Sequence, residues 1–466
     1  MLKAFDNDTI AAIATPCGSG GIGVLRVSGK EALRIADRIF ESKKKISVLE
    51  QKGFTVQYGH VISKENAHAQ IVDEVLLLVM RAPKSYTCED MVEISAHGGP
   101  AVMQAILQLL LKAGARLAEK GEFTKRAFLN GRLDLLQAEA VLDLVKAKTE
   151  LGRRWAVSQL EGVLSKRLGG VKEELLEVLV NLEASIDFPG DFLETGSMAE
   201  MEKKLAAAAE TLKALWQSSG LGIVVKNGLR VVIAGRPNVG KSSLMNRLSR
   251  SNRVIVTPYA GTTRDVVEEE IQLRGFLIRL LDTAGLQETS HPIEQEGIER
   301  SKLAVSQAGL VLYVLDGSQA FHPEDSELLS GLAERSLILV VNKTDLPRKL
   351  NRGLLKGLVD SWPVVHSSCT EEGGIKELED EIFRFVSGGK TDFSNDSVVT
   401  SVRQKDILEK AMGDLDKAKD ACRARLSPEL VAVDLRLALD HLGALVGDVY
   451  TADLLELLFN QFCIGK

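Results

Sequence analysis

The sequence predicts a multidomain chain: an α+β N-terminal domain, an all-α helical bundle, and a Ras-like α/β P-loop domain inserted into that bundle. Three observations carry this. At 466 residues the chain exceeds what one hydrophobic core serves, and about three domains are expected. An apolar strand, a glycine-rich loop and a helix start follow one another over residues 231–246. Helical periodicity stops before this block and resumes after it.

Taken in order, residues 1–121 mix strand-like segments at 23–27, 75–80 and 91–95 with a helix at 102–113, the pattern of a small α+β domain. Residues 122–222 read as helical, with almost no turn residues outside Gly169-Gly170 and Asp187-Phe188-Pro189-Gly190. Leu160, Leu164, Leu168, Val171, Leu175, Leu179, Leu182 and Ile186 recur at spacings of four and three, an apolar stripe along one long helix that suits the core of a bundle. The α/β block spans 223–388. Residues 389–466 are helical again but too few for a separate domain, so both helical pieces are expected to form one bundle around the insertion. Ser387-Gly388-Gly389 and Gly220 to Gly222 are the expected hinges.

A net charge of −6 and a pI near 5.8 exclude a protein that grips nucleic acid by overall charge. Local basic patches remain at Lys43-Lys44-Lys45, at Arg153-Arg154 and over 403–425, each read first as solvated surface. Cys17, Cys88, Cys369, Cys422 and Cys463 are odd in number and share no metal-ligand spacing, so neither a disulfide framework nor a zinc site is implied. The start of the chain is acidic where a signal peptide is basic, and no apolar run reaches membrane-spanning length; the chain reads as cytoplasmic.

Chemistry concentrates in the inserted block. In Gly235-Arg236-Pro237-Asn238-Val239-Gly240-Lys241-Ser242, backbone N–H groups turn inward to phosphate, Lys241 adds a point charge, and Ser242 offers a hydroxyl to Mg²⁺. With Ser243 these residues form the phosphate side of a GTP site. Downstream lie Thr257-Pro258-Tyr259-Ala260-Gly261-Thr262-Thr263, then Asp282-Thr283-Ala284-Gly285, then Asn342-Lys343-Thr344-Asp345, in the order a GTPase requires. Thr263 completes the Mg²⁺ shell, Asp282 holds the metal through water, and the Gly285 N–H meets the γ-phosphate. The Asp345 carboxylate accepts two hydrogen bonds from an edge that guanine presents and adenine does not. Ser367-Ser368-Cys369 stands in place of the usual Ser-Ala-Lys, and Cys369 offers no stem to stack on the base. Leu286 replaces the water-orienting Gln of Ras-type enzymes, which leaves the task to the polar segment holding Gln287, Glu288 and Glu294. No arginine is an evident finger, although Arg264 is near in sequence. Asn238 and the carbonyls of 257–262 are oxygens suited to an alkali cation beside the phosphates.

Outside the block, Asp8-Thr9-Ile10, Thr15-Pro16, the run from Gly20 to Gly29, Gly121-Glu122-Phe123-Thr124-Lys125-Arg126-Ala127-Phe128-Leu129-Asn130-Gly131 and the terminal Cys463-Ile464-Gly465-Lys466 resemble the MnmE (TrmE) family of tRNA modification GTPases, end to end and in the same domain order. The resemblance implies a partner of the MnmG type, dependent on FAD and NADH, with which an aminomethyl or carboxymethylaminomethyl group is added at C5 of the wobble uridine of certain tRNAs. The one-carbon unit would come from a tetrahydrofolate, as the 5,10-methylene or 5-formyl form, bound by Arg26, Glu93, Arg132 and Lys466. It implies a homodimer through the N-terminal domain and nucleotide-dependent pairing of GTPase blocks. It maps the water-positioning, catalytic glutamate onto Glu294, beside Lys241, and makes the alkali ion K⁺, held by Asn238, Thr257, Tyr259 and Thr262. Cys463 keeps two readings, a nucleophile toward uridine or a packing residue. Cys88 replaces the glycine of a Thr-Gly-Glu-Asp run, and Gly190-Asp191 stands where Glu-Glu is common; the first bears on a turn beside Glu89 and Glu93. The alternative is a ribosome-assembly GTPase of the Era or EngA kind, an RNA-binding switch, which leaves the long N-terminal region and the terminal motif without a purpose.

Overall fold

The computed structural model describes residues 8–16, 18–64, 69–187, 198–251, 268–282, 305–350, 362–393 and 397–466. Backbone contacts divide the chain into two interleaved units: residues 1–142, 160–165 and 440–466 form the first, and 143–159 with 166–439 the second.

In the first unit, β1 (Ile10–Ile13), β2 (Gly20–Ser28), β3 (Phe40–Ser42), β4 (Thr55–Ser63), β5 (Gln70–Met80), β6 (Met91–Gly98) and β7 (Arg116–Leu117) make one sheet in the order β3-β4-β5-β6-β2-β1-β7. All neighbours are antiparallel except β1 and β7. The three expected strands lie within β2, β5 and β6; β1, β3, β4 and β7 are additional. Helices α1 (Ala32–Ile39) and α2 (Pro100–Lys112) cover one face. Pro100 starts α2, and Met103, Ile106, Leu107 and Leu110 fall on its buried side against Leu25, Leu77 and Ile94. On the other face Phe123, from α3 (Glu122–Leu129), packs against Ile10, Ala12, Met80 and Met91.

Beside Phe123 lies a charge that cannot be left alone. Arg126 is 2% exposed, and its guanidinium donates to Asp8 Oδ1 at 2.7 Å, Glu89 Oε1 at 3.2 Å and Glu122 Oε1 at 2.9 Å. Arg116 joins from β7, donating to Glu122 at 2.6 Å and to Asp8 at 2.7 Å. Segments far apart in sequence are thereby fastened at one point, because each buried charge depends on the others for its partners. Cys88, between Thr87 and Glu89, keeps the turn that a glycine would make, in a left-handed conformation with φ 60°.

The second unit holds most of the long helices and the inserted block, while residues 135–142 and the helix Ala452–Phe459 belong to the first. After α4 (Leu135–Lys146) come α5 (Glu150–Leu160), α6 (Val163–Asp187) and α7 (Met198–Asn227). The apolar stripe is buried from Leu164 to Leu182, but Leu160 belongs to α5, and Gly162 at φ 78° breaks the chain between the two helices. Gly169-Gly170 is no turn: both residues lie inside α6. Gly220 and Gly222 likewise lie inside α7, so the expected hinge is continuous helix. The cause is close approach, since a Cβ on Gly222 would collide with Val399 O. Ser387-Gly388-Gly389 does close an element: the helix Lys376–Ser387 ends on Gly388 at φ 58° and Gly389 at φ 76°. Arg423 pairs with Glu202 at 2.6 Å and Arg436 with Glu183 at 2.6 Å, joining the helices Val402–Arg423 and Pro428–Val446 to α7 and α6 as one bundle around the insertion.

The inserted block has the strands β8 (Leu229–Ala234), β9 (Glu268–Leu273), β10 (Phe276–Asp282), β11 (Leu310–Asp316), β12 (Leu337–Asn342) and β13 (Val364–His366), in the order β13-β12-β11-β8-β10-β9, parallel except for the β9–β10 pair. β11 and β12 are buried along their whole length, as befits strands covered on both faces.

Burial would raise the Glu122 carboxyl, but Arg116, the Glu119 N–H and Arg126 outweigh it and hold the group below its usual range. A depressed folded-state value contributes stability that is present above the unfolded value of about 4.3 and is lost as pH falls through the folded value. Glu122→Gln should therefore cost about 3 kcal/mol at neutral pH, with a gap from the parent that narrows below about pH 4; urea melts across that range check it. Cys88→Gly should raise stability by about 1 kcal/mol by relieving the left-handed backbone, read from the same midpoint.

Candidate active site

β8 leads into the loop 235–240 and then α8 (Lys241–Ser251), which places the first N–H groups of a helix at the C-terminal ends of parallel strands. Two glycines are required there. A Cβ on Gly235 (φ 141°) would press on Val314 O, and one on Gly240 (φ 101°) would collide with Asn342 Nδ2. Lys241 is 6% exposed, and its ammonium donates to the carbonyls of Gly235 and Arg236 at 2.8 and 2.9 Å, so it curls over the loop it would share with phosphate. Ser242 and Ser243 are exposed beside it, and Val239 is buried. Asn238 is exposed in a left-handed conformation with φ 61°.

The base-side loop is joined to the phosphate loop. Asn342 Nδ2 donates to Val239 O at 2.9 Å, and Lys343 Nζ reaches Asn238 O at 2.8 Å. Lys343 also pairs with Asp316 at 2.7 Å, at the end of β11. Burial would raise the Asp316 carboxyl, yet Lys343 and the Ser318 donors hold it below the usual range. Asp345 is exposed and accepts from Ser368 Oγ at 2.8 Å, a bond that lowers its pKa and aims its carboxylate. Cys369 does not reach outward: its thiol faces Asn342 Oδ1 at 3.7 Å and packs on the core, and burial raises its pKa. The side chains that serve the Asn342-to-Asp345 loop are Ser367, on Asn342 Oδ1 at 3.2 Å, and Ser368.

Thr257, Pro258, Tyr259, Ala260, Gly261, Thr262, Thr263, Arg264, Thr283, Ala284, Gly285, Leu286, Gln287, Glu288 and Glu294 lie outside the described residues, as do Gly190 and Asp191. Asp282 closes β10, paired with Ile233 of β8 and so level with the start of the phosphate loop.

In the first unit, the β2–β6 register sets Arg26 opposite Glu93, and their side chains pair at 2.7 Å. Arg26 Nη1 also donates to Gly465 O at 3.3 Å. The terminal tail is pinned here: Lys120 and Ile464 form a β-bridge, and a Cβ on Gly465 would collide with Ile13 O. Lys466 is half-buried, and burial followed by the nearby Arg26 cation lowers its pKa. Arg132 donates to Tyr86 O at 3.0 Å, with its guanidinium 4.7 Å from the Tyr86 ring centroid and that of Arg26 at 5.7 Å. Arg26, Glu93 and Lys466 are thus brought together, and Arg132 joins them through Tyr86. A carboxylate, three cations and an aromatic ring suit a ligand that combines a polar ring edge with an anionic tail. Glu89 is committed elsewhere, to Arg126 and to the Ser28 hydroxyl at 2.7 Å. Cys463 is exposed, and its carbonyl accepts from Gly121 N at 3.3 Å.

Sequence reasoning missed Tyr86, Asp316, and a polar group behind the phosphate loop, where Arg236 and Tyr313 both donate to Asp325. Asp316, the last residue of an apolar strand, carried a readable signal; Asp325 carried only that of a helix start, through the His322 N–H, because Tyr313 and Arg236 lie 12 and 89 residues away in sequence. The basic run 403–425 is largely balanced by its own helix and its neighbour: Lys410 with Asp406, Lys417 with Asp414, Lys419 with Asp416, and Arg423 with Glu202. Among the described residues no helix is long and apolar enough to cross a membrane.

Compared with known proteins, residues 9–132 match the family model of the GTP-binding protein TrmE N-terminus, and residues 135–463 that of the MnmE helical domain. The tRNA modification GTPase MnmE of Alkaliphilus metalliredigens is 42% identical over 462 residues, which are 99% of this chain and 100% of the relative. That of Lactiplantibacillus plantarum is 44% identical over 461 residues, 98% of either chain. Among solved structures, the G domain of the T. maritima FeoB iron transporter is 32% identical over 34% of this chain and 98% of its own, at a TM-score of 0.26. Identity of this order from end to end, across both family models, makes the chain a member of the MnmE (TrmE) family of tRNA modification GTPases.

Proposed function

We propose that this chain is a GTP-hydrolysing tRNA modification enzyme that, with a flavin-dependent partner of the MnmG type, adds an aminomethyl or carboxymethylaminomethyl group at C5 of the wobble uridine of certain tRNAs. The observation that carries the reading is the gathering of Arg26, Glu93 and Lys466, with Arg132 beside Tyr86, at the pinned terminal tail. A tetrahydrofolate bound there would supply the one-carbon unit. Glu93 suits the donor edge of its pterin, and the cations suit its glutamate. Cys463, exposed on the same tail, would be a nucleophile toward the uridine, a reading its exposure favours over that of a packing residue.

In the GTPase block, Lys241 would exchange the carbonyls of Gly235 and Arg236 for phosphate oxygens, Ser242 and Thr263 would hold Mg²⁺, and Asp345 would select guanine. Glu294 would orient the attacking water, since Leu286 has no polar group for that work. Asn238 with Thr257, Tyr259 and Thr262 would hold K⁺, whose charge serves where an arginine finger serves in other enzymes. The four-part division at 121, 222 and 388 and the cytoplasmic location are proposed with it. Pairing of two N-terminal domains is supported by apolar side chains left exposed on the sheet, where Tyr58 lies opposite Leu76 with Val56 two residues along the same strand. GTPase blocks would pair across the ion-bound surface.

Two experiments test the reading. Deleting Gly465 and Lys466 should weaken reduced-folate binding at least about tenfold, the worth of a lost charged contact, and abolish wobble-uridine modification while sparing GTP turnover. Equilibrium dialysis showing equal folate affinity would sink it. GTP hydrolysis and association with GDP and aluminium fluoride should both be strong in KCl and weak in NaCl at equal ionic strength, because a cage of neutral oxygens selects an ion by size and dehydration. Equal behaviour in both salts would remove the ion's role.

A further inference from the structure

Among the described residues, four side chains stake the phosphate loop, and nucleotide affects them differently. Lys241 holds the carbonyls of Gly235 and Arg236, Asn342 that of Val239, and Lys343 that of Asn238. Lys241 gives up its two bonds when it turns to phosphate. Arg236 points the other way. Its Nε donates to Asp325 Oδ2 at 2.9 Å, and the Asp325 side chain is 1% exposed. Asp325 Oδ1 accepts from the Tyr313 hydroxyl of β11 at 2.9 Å, and Oδ2 from the His322 N–H at 3.3 Å, where the helix Pro323–Ser330 begins. A buried carboxylate served by three segments is a stiff anchor, because each donor offsets part of a charge that has no water. The same stretch of loop is pressed against β11 at Gly235, beside Val314 O.

We infer that Asp325, braced by Tyr313, is a positioning residue that grips Arg236 and so presets the phosphate loop before nucleotide arrives. The inference rests on reading residues 235–242 as that loop. A loop that is competent only part of the time lowers apparent affinity by that fraction. Its contacts to phosphate are shared by the ground and transition states, so loss of the anchor should weaken binding and leave the saturated rate alone.

The test uses the full chain carrying Arg236→Met with Asp325→Asn, which removes both charges, keeps hydrogen-bonding partners for Tyr313 and His322, and strands no buried ion. GDP affinity, single-turnover hydrolysis at saturating GTP and Tm are measured beside Lys241→Ala. GDP binding is expected to weaken about tenfold at a nearly unchanged Tm, with saturated hydrolysis within about twofold of the parent. Parental GDP affinity in the folded double variant overturns the inference. Undiminished GDP binding by Lys241→Ala instead overturns the phosphate-loop reading. If the double variant does not fold, Tyr313→Phe decides: it keeps the ion pair and removes one brace, so GDP should bind about threefold more weakly, and no change overturns the anchor.

Discussion

One side-chain amide holds the nucleotide end of this protein together. Asn342 gives its Nδ2 to Val239 O and takes the Ser367 hydroxyl on its Oδ1, so the loops that follow β8, β12 and β13 are bound through a single residue. β11 lies between β8 and β12, and the bond therefore bridges strands that do not touch. Asn342 is 2% exposed, which raises the cost of leaving either end of the amide without a partner. Gly240 has no side chain for the same reason, because the amide occupies the space a Cβ would need.

Much of this was legible from local pattern. The phosphate loop, the Asn342-to-Asp345 loop and the buried strands between them carry their chemistry in consecutive residues, and the helix at Pro100 announces itself by spacing and by its first residue. What escaped depends on distance in sequence. Glycines at 169, 170, 220 and 222 look like punctuation, yet each sits within a helix, and only at Gly222 does another backbone come close enough to require the missing side chain. Tyr86 reads as an ordinary loop aromatic until Arg26 and Arg132 are seen against its ring. Cys369 reads as a poor substitute for a base-stacking lysine; instead it faces the core while its neighbour Ser368 holds Asp345.

Charge is handled in two ways. On the helix Val402–Arg423, lysines on its outer side are answered by aspartates three or four residues before them, each pair worth only about a few tenths of a kcal/mol. Their effect is to remove the field that a bare basic helix would project. Around Arg126 the same residue types are buried, and there the pairs are obligatory: Asp8, Glu89 and Glu122 come from separate segments, and the fold of the first unit must be complete before any of them is satisfied.

Gly222 sets the geometry of the insertion. The outgoing chain crosses α7 at this residue, with Val399 N held by the Ser218 hydroxyl at 3.2 Å, only a turn or so before the incoming chain leaves the same helix for β8. Entry and exit of the inserted block are thus gathered at one end of one helix, like the two leads of a plug. Any torque generated in the block reaches the helices through these leads and through Leu151 and Trp155 of α5, which pack into the block's core, and a β-carbon added at residue 222 would pry the leads apart while leaving that packing in place.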